Sequence, residues 1–120
     1  MFARHFTEFR EFTSADGCAL REIFNPAADP AFKLGYSLAH AALQAGSASL
    51  PHRLDRSEVY YIIAGSGVMH IDAESRAVTP GATVYIPPGA VQYIENAGEE
   101  ELEFVCMVDP GWTPECDKLV

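Results

Sequence analysis

Apolar and polar residues alternate along this chain in short runs, broken at close intervals by glycine, proline, asparagine and aspartate. Asp16-Gly17, Asn25-Pro26, Asp29-Pro30, Gly46, Gly65 with Gly67, Pro80-Gly81, Pro87-Pro88-Gly89 and Ala97-Gly98 mark turns. The segments between them are mostly too short for helices. Many are rich in Val, Ile, Tyr and Phe, which suit a pleated, half-buried surface. The pattern predicts strands at roughly 18–24, 34–44, 49–54, 57–63, 66–72, 75–79, 82–86, 91–95 and 101–108. This is an all-β pattern, compatible with a jelly roll or a small barrel. FTEFREF, residues 6–12, reads equally as an edge strand or one helical turn.

The period of two along a strand assigns faces. In SEVYYII, Glu58, Tyr60 and Ile62 share one face, and Val59, Tyr61 and Ile63 share the other. Both are largely apolar, so both are expected to be covered. One face would line a barrel interior; the other calls for a second sheet or a partner subunit, which points to a homodimer. With 120 residues the chain suits one domain and one core. The expected barrel core is about 18–109, flanked by an N-terminal segment and a C-terminal tail. No internal repeat or linker interrupts it.

Charge narrows the partners. A net charge of −9 disfavours nucleic acid, whose phosphates need clustered Lys and Arg, and disfavours an anionic membrane surface. Much of the acid lies in Glu95, Glu99, Glu100, Glu101 and Glu103, which read as a solvated turn and strand edge. No apolar run approaches the ~20 residues of a membrane span, and the first ten residues carry charges throughout, unlike a secretory leader. Cys18, Cys106 and Cys116 are odd in number and widely spaced. They fit reduced thiols better than a disulfide framework or a zinc finger, and the expected compartment is the cytoplasm.

The stretch GSASLPHRLDRSEVYYIIAGSG, residues 46–67, holds the candidate chemistry. Leu50, His52 and Leu54 share a face of an extended segment, residues 55–57 turn the chain, and Glu58 opens the next strand. A histidine and a carboxylate converging across a turn are good ligands for borderline divalent metals. They equally suit a buried hydrogen-bonded acid and base without an ion.

Two spacings give these residues a family likeness. Gly46, five residues, His52, Arg53, Leu54, three residues, Glu58, six residues and Gly65 follow the first motif of the cupins. Gly81, five residues, Pro87, Pro88, Gly89, two residues, Gln92, three residues and Asn96 follow the second. The chain thus resembles a single-domain cupin, and the resemblance implies a jelly-roll β-barrel with a small-molecule site inside. It departs from the family at two of the four metal positions: Leu54 and Gln92 stand where histidines are usual. Carried over, the resemblance leaves His52, Glu58 and Gln92 as metal ligands for Zn, Fe, Ni or Mn, with water or substrate completing the coordination. A leucine cannot ligate, and a glutamine carbonyl is a weak donor to such ions.

Tyr60 shares the face of Glu58 and is expected to line the pocket. His40, on a face with Tyr36, Leu38 and Ala42, is a candidate general base or replacement ligand if that face is interior. Tyr60 and His40 are therefore the candidate catalytic pair. His70 is expected to point away from the core. Cys106, on a face with Phe104 and Val108, reads as packing, and Trp112 as a cap on one barrel end or a dimer contact. No nucleophile elbow, P-loop or dinucleotide fingerprint is present. The leading expectation is a metal-dependent cupin acting on or binding a small organic molecule, with oxygenase or isomerase chemistry among the activities that the resemblance implies. The alternatives are a metal-free cupin that binds a ligand without chemistry, and a metal-free enzyme using Glu58 with His52 as acid and base. Fold alone does not choose among them.

Overall fold

A computed structural model describes all of residues 1–120. It contains eleven strands: β1 (Glu11–Thr13), β2 (Ala19–Phe24), β3 (Ser37–Leu43), β4 (His52–Leu54), β5 (Ser57–Ala64), β6 (Gly67–Ile71), β7 (Glu74–Val78), β8 (Thr83–Ile86), β9 (Gln92–Glu95), β10 (Leu102–Asp109) and β11 (Asp117–Leu119). They form two antiparallel sheets, in the orders β1-β2-β3-β10-β5-β8 and β11-β4-β9-β6-β7. This is the all-β architecture that the pattern predicts, and the jelly-roll barrel that the resemblance implies. No helix is long and apolar enough to cross a membrane.

The inner faces of both sheets supply one apolar core. Tyr60, Ile62 and Phe104 come from the larger sheet, and Met69, Val78 and Ile94 from the smaller. A second, smaller cluster of Leu54, Val108 and Cys116, with Trp112 packed on it, lies apart from this core. The alternation in β5 matches its sequence pattern: Glu58, Tyr60 and Ile62 are buried. Its outer residues Tyr61 and Ile63 remain exposed, as do Tyr85 of β8 and Met107 of β10. The second apolar face is therefore bare in the single chain.

Glycines and an asparagine tie the corners. A side chain at Gly67 would meet the Glu95 carbonyl oxygen at 2.5 Å, so only glycine lets β6 leave the β5 turn at this closeness. Asn96 is 1 % exposed. Its amide donates to the carbonyls of Leu43 and Glu100 at 2.9 and 2.8 Å, satisfying backbone groups where strands end.

Three details differ from the sequence reading. FTEFREF provides both candidate structures in succession, a 3-10 turn at Phe6–Glu8 and then edge strand β1. The strand expected at 49–54 is regular only from His52. Its earlier half is held by Ser49, whose N–H donates to the Ile94 carbonyl and whose hydroxyl accepts from the Ile94 N–H, both at 2.9 Å. The flanking tail carries a strand that the pattern did not predict: β11 pairs with β4, placing Asp117 opposite Leu54 and Leu119 opposite His52. Strand pairing over sixty residues of separation leaves no local signature for a sequence pattern to register.

Candidate functional site

The turn at Asp55–Arg56 carries the chain from one sheet to the other. His52 leaves β4 in the smaller sheet, while Glu58 and Tyr60 lie on β5 in the larger. Gln92 on β9 is the cross-strand partner of His52. The barrel closure thus brings all four side chains inward, and all are buried: His52 3 %, Glu58 6 %, Tyr60 3 % and Gln92 0 % exposed.

The amide of Gln92 bridges the sheets. Its Nε2 donates to Glu58 Oε1 at 2.9 Å, and its Oε1 accepts from the Tyr60 hydroxyl at 3.1 Å. His52 makes a different set of contacts. Its Nδ1 lies 2.8 Å from the Leu50 carbonyl oxygen; a carbonyl only accepts, so Nδ1 carries the hydrogen and Nε2 of the neutral ring keeps its lone pair. Nε2 faces Asp16 Oδ2 at 3.7 Å, beyond hydrogen-bond reach. His52 and Glu58 do not pair directly with each other.

His52, Glu58 and Tyr60 line a cavity of about 110 Å³ whose wall is mostly apolar. Burial pushes the Glu58 carboxyl up to about 8. The N–H of Gln92 opposes this, and the charges of Asp16 and Asp117 add to it. Burial likewise raises the Tyr60 phenol well above its ordinary range, with Glu58 and Asp16 contributing. The Cys106 thiol is raised first by burial and then by Glu58 and Asp16; it stays protonated and points at the Ala39 carbonyl, 3.7 Å away. That suits packing rather than nucleophilic attack.

His40 is not brought to the cavity. Ala39 and Ala41 line it instead, which turns the intervening residue outward. There the imidazole Nε2 meets Glu103 Oε1 at 3.1 Å, and the ring stacks on Phe6 with centroids 4.2 Å apart. The physical reason is the period of two along β3: Ala39, Ala41 and Leu43 take the inner face, where Ala41 and Leu43 pack in the core beside Phe104 of the neighbouring strand, so His40 falls on the outer one. Outside, His40 is covered by Phe6 of the N-terminal segment, a cover the sequence pattern could not distinguish from an interior. His70 points away from the core as expected, stacked on Tyr93 and within 2.5 Å of Glu95 Oε1.

Asp16, Cys18, Glu22, Trp112 and Asp117 also line the cavity, and sequence reasoning missed them as site residues. Asp16-Gly17 read only as a turn, Asp117 as part of the flanking tail, and Trp112 as a cap on one barrel end or a dimer contact. Asp16 Oδ1 accepts from the Ser14 hydroxyl and, at 3.4 Å, from the Cys18 N–H. Trp112 Nε1 donates to Asp117 Oδ2 at 3.0 Å. No three His, Cys, Asp or Glu side chains converge in a way that would hold a metal ion.

A family model described as the cupin domain matches residues 39–108, more than half of the chain. The chain belongs to the cupin family. An uncharacterised protein of Methanocaldococcus jannaschii is 35 % identical to this cupin over 116 residues, covering 96 % of this chain and 91 % of the relative. Among solved structures, a predicted oxalate decarboxylase from Thermotoga maritima superposes with a TM-score of 0.79 at 20 % identity, covering 91 % of this cupin and 99 % of that chain. The polyketide cyclase RemF from Streptomyces resistomycificus does so at 0.82 and 16 % identity, covering 100 % and 85 %. At these identities the two structures speak for the shared barrel alone. In that barrel, this cupin carries Leu54 and Gln92 at the two positions that depart from the motifs.

Proposed function

We propose that this cupin binds a small, largely apolar organic molecule in the barrel cavity, with the Glu58 carboxyl as polar anchor. The observation that carries the reading is the hydrogen-bond chain from Tyr60 through Gln92, buried behind the wall, to Glu58, with Tyr60 and Glu58 lining that cavity. The chain engages one oxygen of Glu58 and holds the carboxyl in place. The other oxygen takes no hydrogen bond and is left to a ligand. A pocket with an apolar wall and a few fixed polar groups is the usual form of a small-molecule site, and fixing them beforehand lowers the cost of binding.

The metal reading asks the same residues for donor atoms. The Gln92 oxygen already accepts from Tyr60, and its N–H side, which has no lone pair to offer, faces Glu58. Leu54, 3 % exposed, contributes only an alkyl group. His52 Nε2 is the one uncommitted nitrogen. As arranged, the set of His52, Glu58 and Gln92 does not fit a first-row ion. The oxygenase and isomerase chemistry implied by the resemblance is metal-dependent, so the proposal stops at binding.

We further propose that the bare outer face of β5, β8 and β10 pairs with a second copy of the chain, and that the protein works in the cytoplasm. Exposed Tyr61, Ile63, Tyr85 and Met107 share that face, and three unpaired cysteines suit a reducing compartment.

A thermal-shift screen of small organic molecules tests the binding reading. Ligands are expected to raise the Tm of the wild type but not of Ala39→Leu, whose larger side chain fills the cavity. At a hundredfold excess over Kd the stabilisation is about 2.7 kcal/mol. Hits that stabilise both proteins equally would place the ligand elsewhere and overturn the reading.

A further inference from the structure

We infer that the ligand of the barrel cavity is a small amine, bound as its ammonium form. The inference rests on the reading of the cavity as a ligand site and names the chemistry that the site selects. Four carboxyl groups line the cavity: Asp16, Glu22, Glu58 and Asp117. None of the eight Lys and Arg side chains does so, and no Lys or Arg pairs with any of the four. The only basic group in the wall is His52, whose Nε2 stands 3.7 Å from Asp16. A wall of this composition repels an anion and attracts a cation.

Hydrogen-bond accounting gives the same answer independently. Nε2 of His52 and Oε2 of Glu58 make no hydrogen bond, although their residues are 97 % and 94 % buried, respectively, by the exposures of 3 % and 6 %. Oδ2 of Asp16 is also unpaired. His52 Nε2, once Nδ1 holds the ring hydrogen, and Asp16 Oδ2 are acceptors, and Glu58 Oε2 joins them when its carboxyl is ionised. The cavity therefore offers acceptors and asks its ligand for donors. A carboxylate brings only acceptors, and an alcohol brings one donor. A primary ammonium brings three, together with the charge that the wall lacks.

The remaining wall suits the body of such a molecule. Trp112 and Phe12 line the same cavity, and aromatic faces attract ammonium groups as well as alkyl chains. Trp112 is oriented by its hydrogen bond to Asp117. Size sets the upper limit. A dry cavity of about 150 Å³ takes benzene, so about 110 Å³ admits a compact molecule smaller than benzene. The shared fold with a predicted oxalate decarboxylase does not extend to a dicarboxylate here, because no side chain in the wall carries a permanent positive charge.

The test is an NMR titration of the isotope-labelled full chain with isobutylamine, isobutanol, isobutyrate and oxalate, and with zinc and manganese as bare cations. Isobutylamine is expected to produce saturable shifts at cavity residues and to bind at least about tenfold more tightly than the other organic probes, the effect of one charge-assisted hydrogen bond. Asp16→Asn is expected to weaken the amine about tenfold and leave isobutanol unchanged. Asp117→Asn is the second variant, since Asp16 also holds the turn before β2. Isobutyrate, oxalate or isobutanol binding as tightly as the amine would overturn the amine assignment while sparing the cavity as a ligand site. So would saturation by a metal ion with no response to the amine. Absence of saturable shifts with every probe would remove both readings.

Discussion

Gln92 and Glu58 stand on opposite sheets of the barrel and are joined by a 2.9 Å hydrogen bond. The Gln92 amide also accepts from Tyr60 on the far sheet, so one side chain satisfies two buried polar groups of β5. Replacing Gln92 by leucine removes both bonds and leaves a buried carboxyl and phenol without their partner. Each such loss costs about 1–3 kcal/mol. The variant is expected to unfold in urea at a clearly lower midpoint, whereas Gln92→His, which keeps a polar ring, is expected to lose less. Equal stability of Gln92→Leu and wild type would mean that the bridge does not form.

Glu58 gives stability a pH dependence of known sign. Its folded-state value of about 8 lies above the ordinary 4.5, so between these pH values the folded chain holds a proton that the unfolded chain has released. Stability from this group is full below about pH 4.5 and is lost as pH rises toward 8, by up to about 1.4 kcal/mol per pH unit. Glu58→Gln carries no such proton. The unfolding free energy of the wild type minus that of Glu58→Gln should fall steadily from pH 5 to 8. A flat difference would show that the carboxyl titrates normally.

Elemental analysis decides the metal question. Protein purified without chelator and incubated with Zn, Fe, Ni and Mn is expected to retain well under one ion per chain. One full equivalent, lost in His52→Ala, would mean that Gln92 turns its oxygen toward an ion and that the original three-ligand expectation holds.

Association is expected through the outer face of the larger sheet. Light scattering should give about twice the chain mass of 13.1 kDa. Tyr61→Lys with Tyr85→Lys places two charges on that face, where Val59 is the register partner of Tyr85 and Tyr61 that of Thr83. The double variant should run as a monomer with an unchanged circular dichroism spectrum. A wild-type monomer would leave the face to another role.

Much of this molecule was legible in the residues alone. Turn-forming Gly, Pro, Asn and Asp bounded β-branched and aromatic runs, and those runs became strands close to their predicted places. The alternation of Glu58, Tyr60 and Ile62 with Val59, Tyr61 and Ile63 fixed which residues share a face of β5. The spacing from His52 to Glu58, and from Gly81 to Gln92 and Asn96, announced the barrel and three residues of its interior. These are local properties, set by backbone geometry within a few residues. Closure of the two sheets decided the rest. Both faces of β3 are apolar enough to be interior, and only the packing of Ala41 and Leu43 into the core and of Phe6 over His40 decided which face turned inward. Asp16, Trp112 and Asp117 entered the cavity wall from segments far apart in the chain. The amide of Gln92 became a bridge because Glu58 and Tyr60 arrive from the opposing sheet, a relationship between distant strands that no period or spacing in the chain encodes.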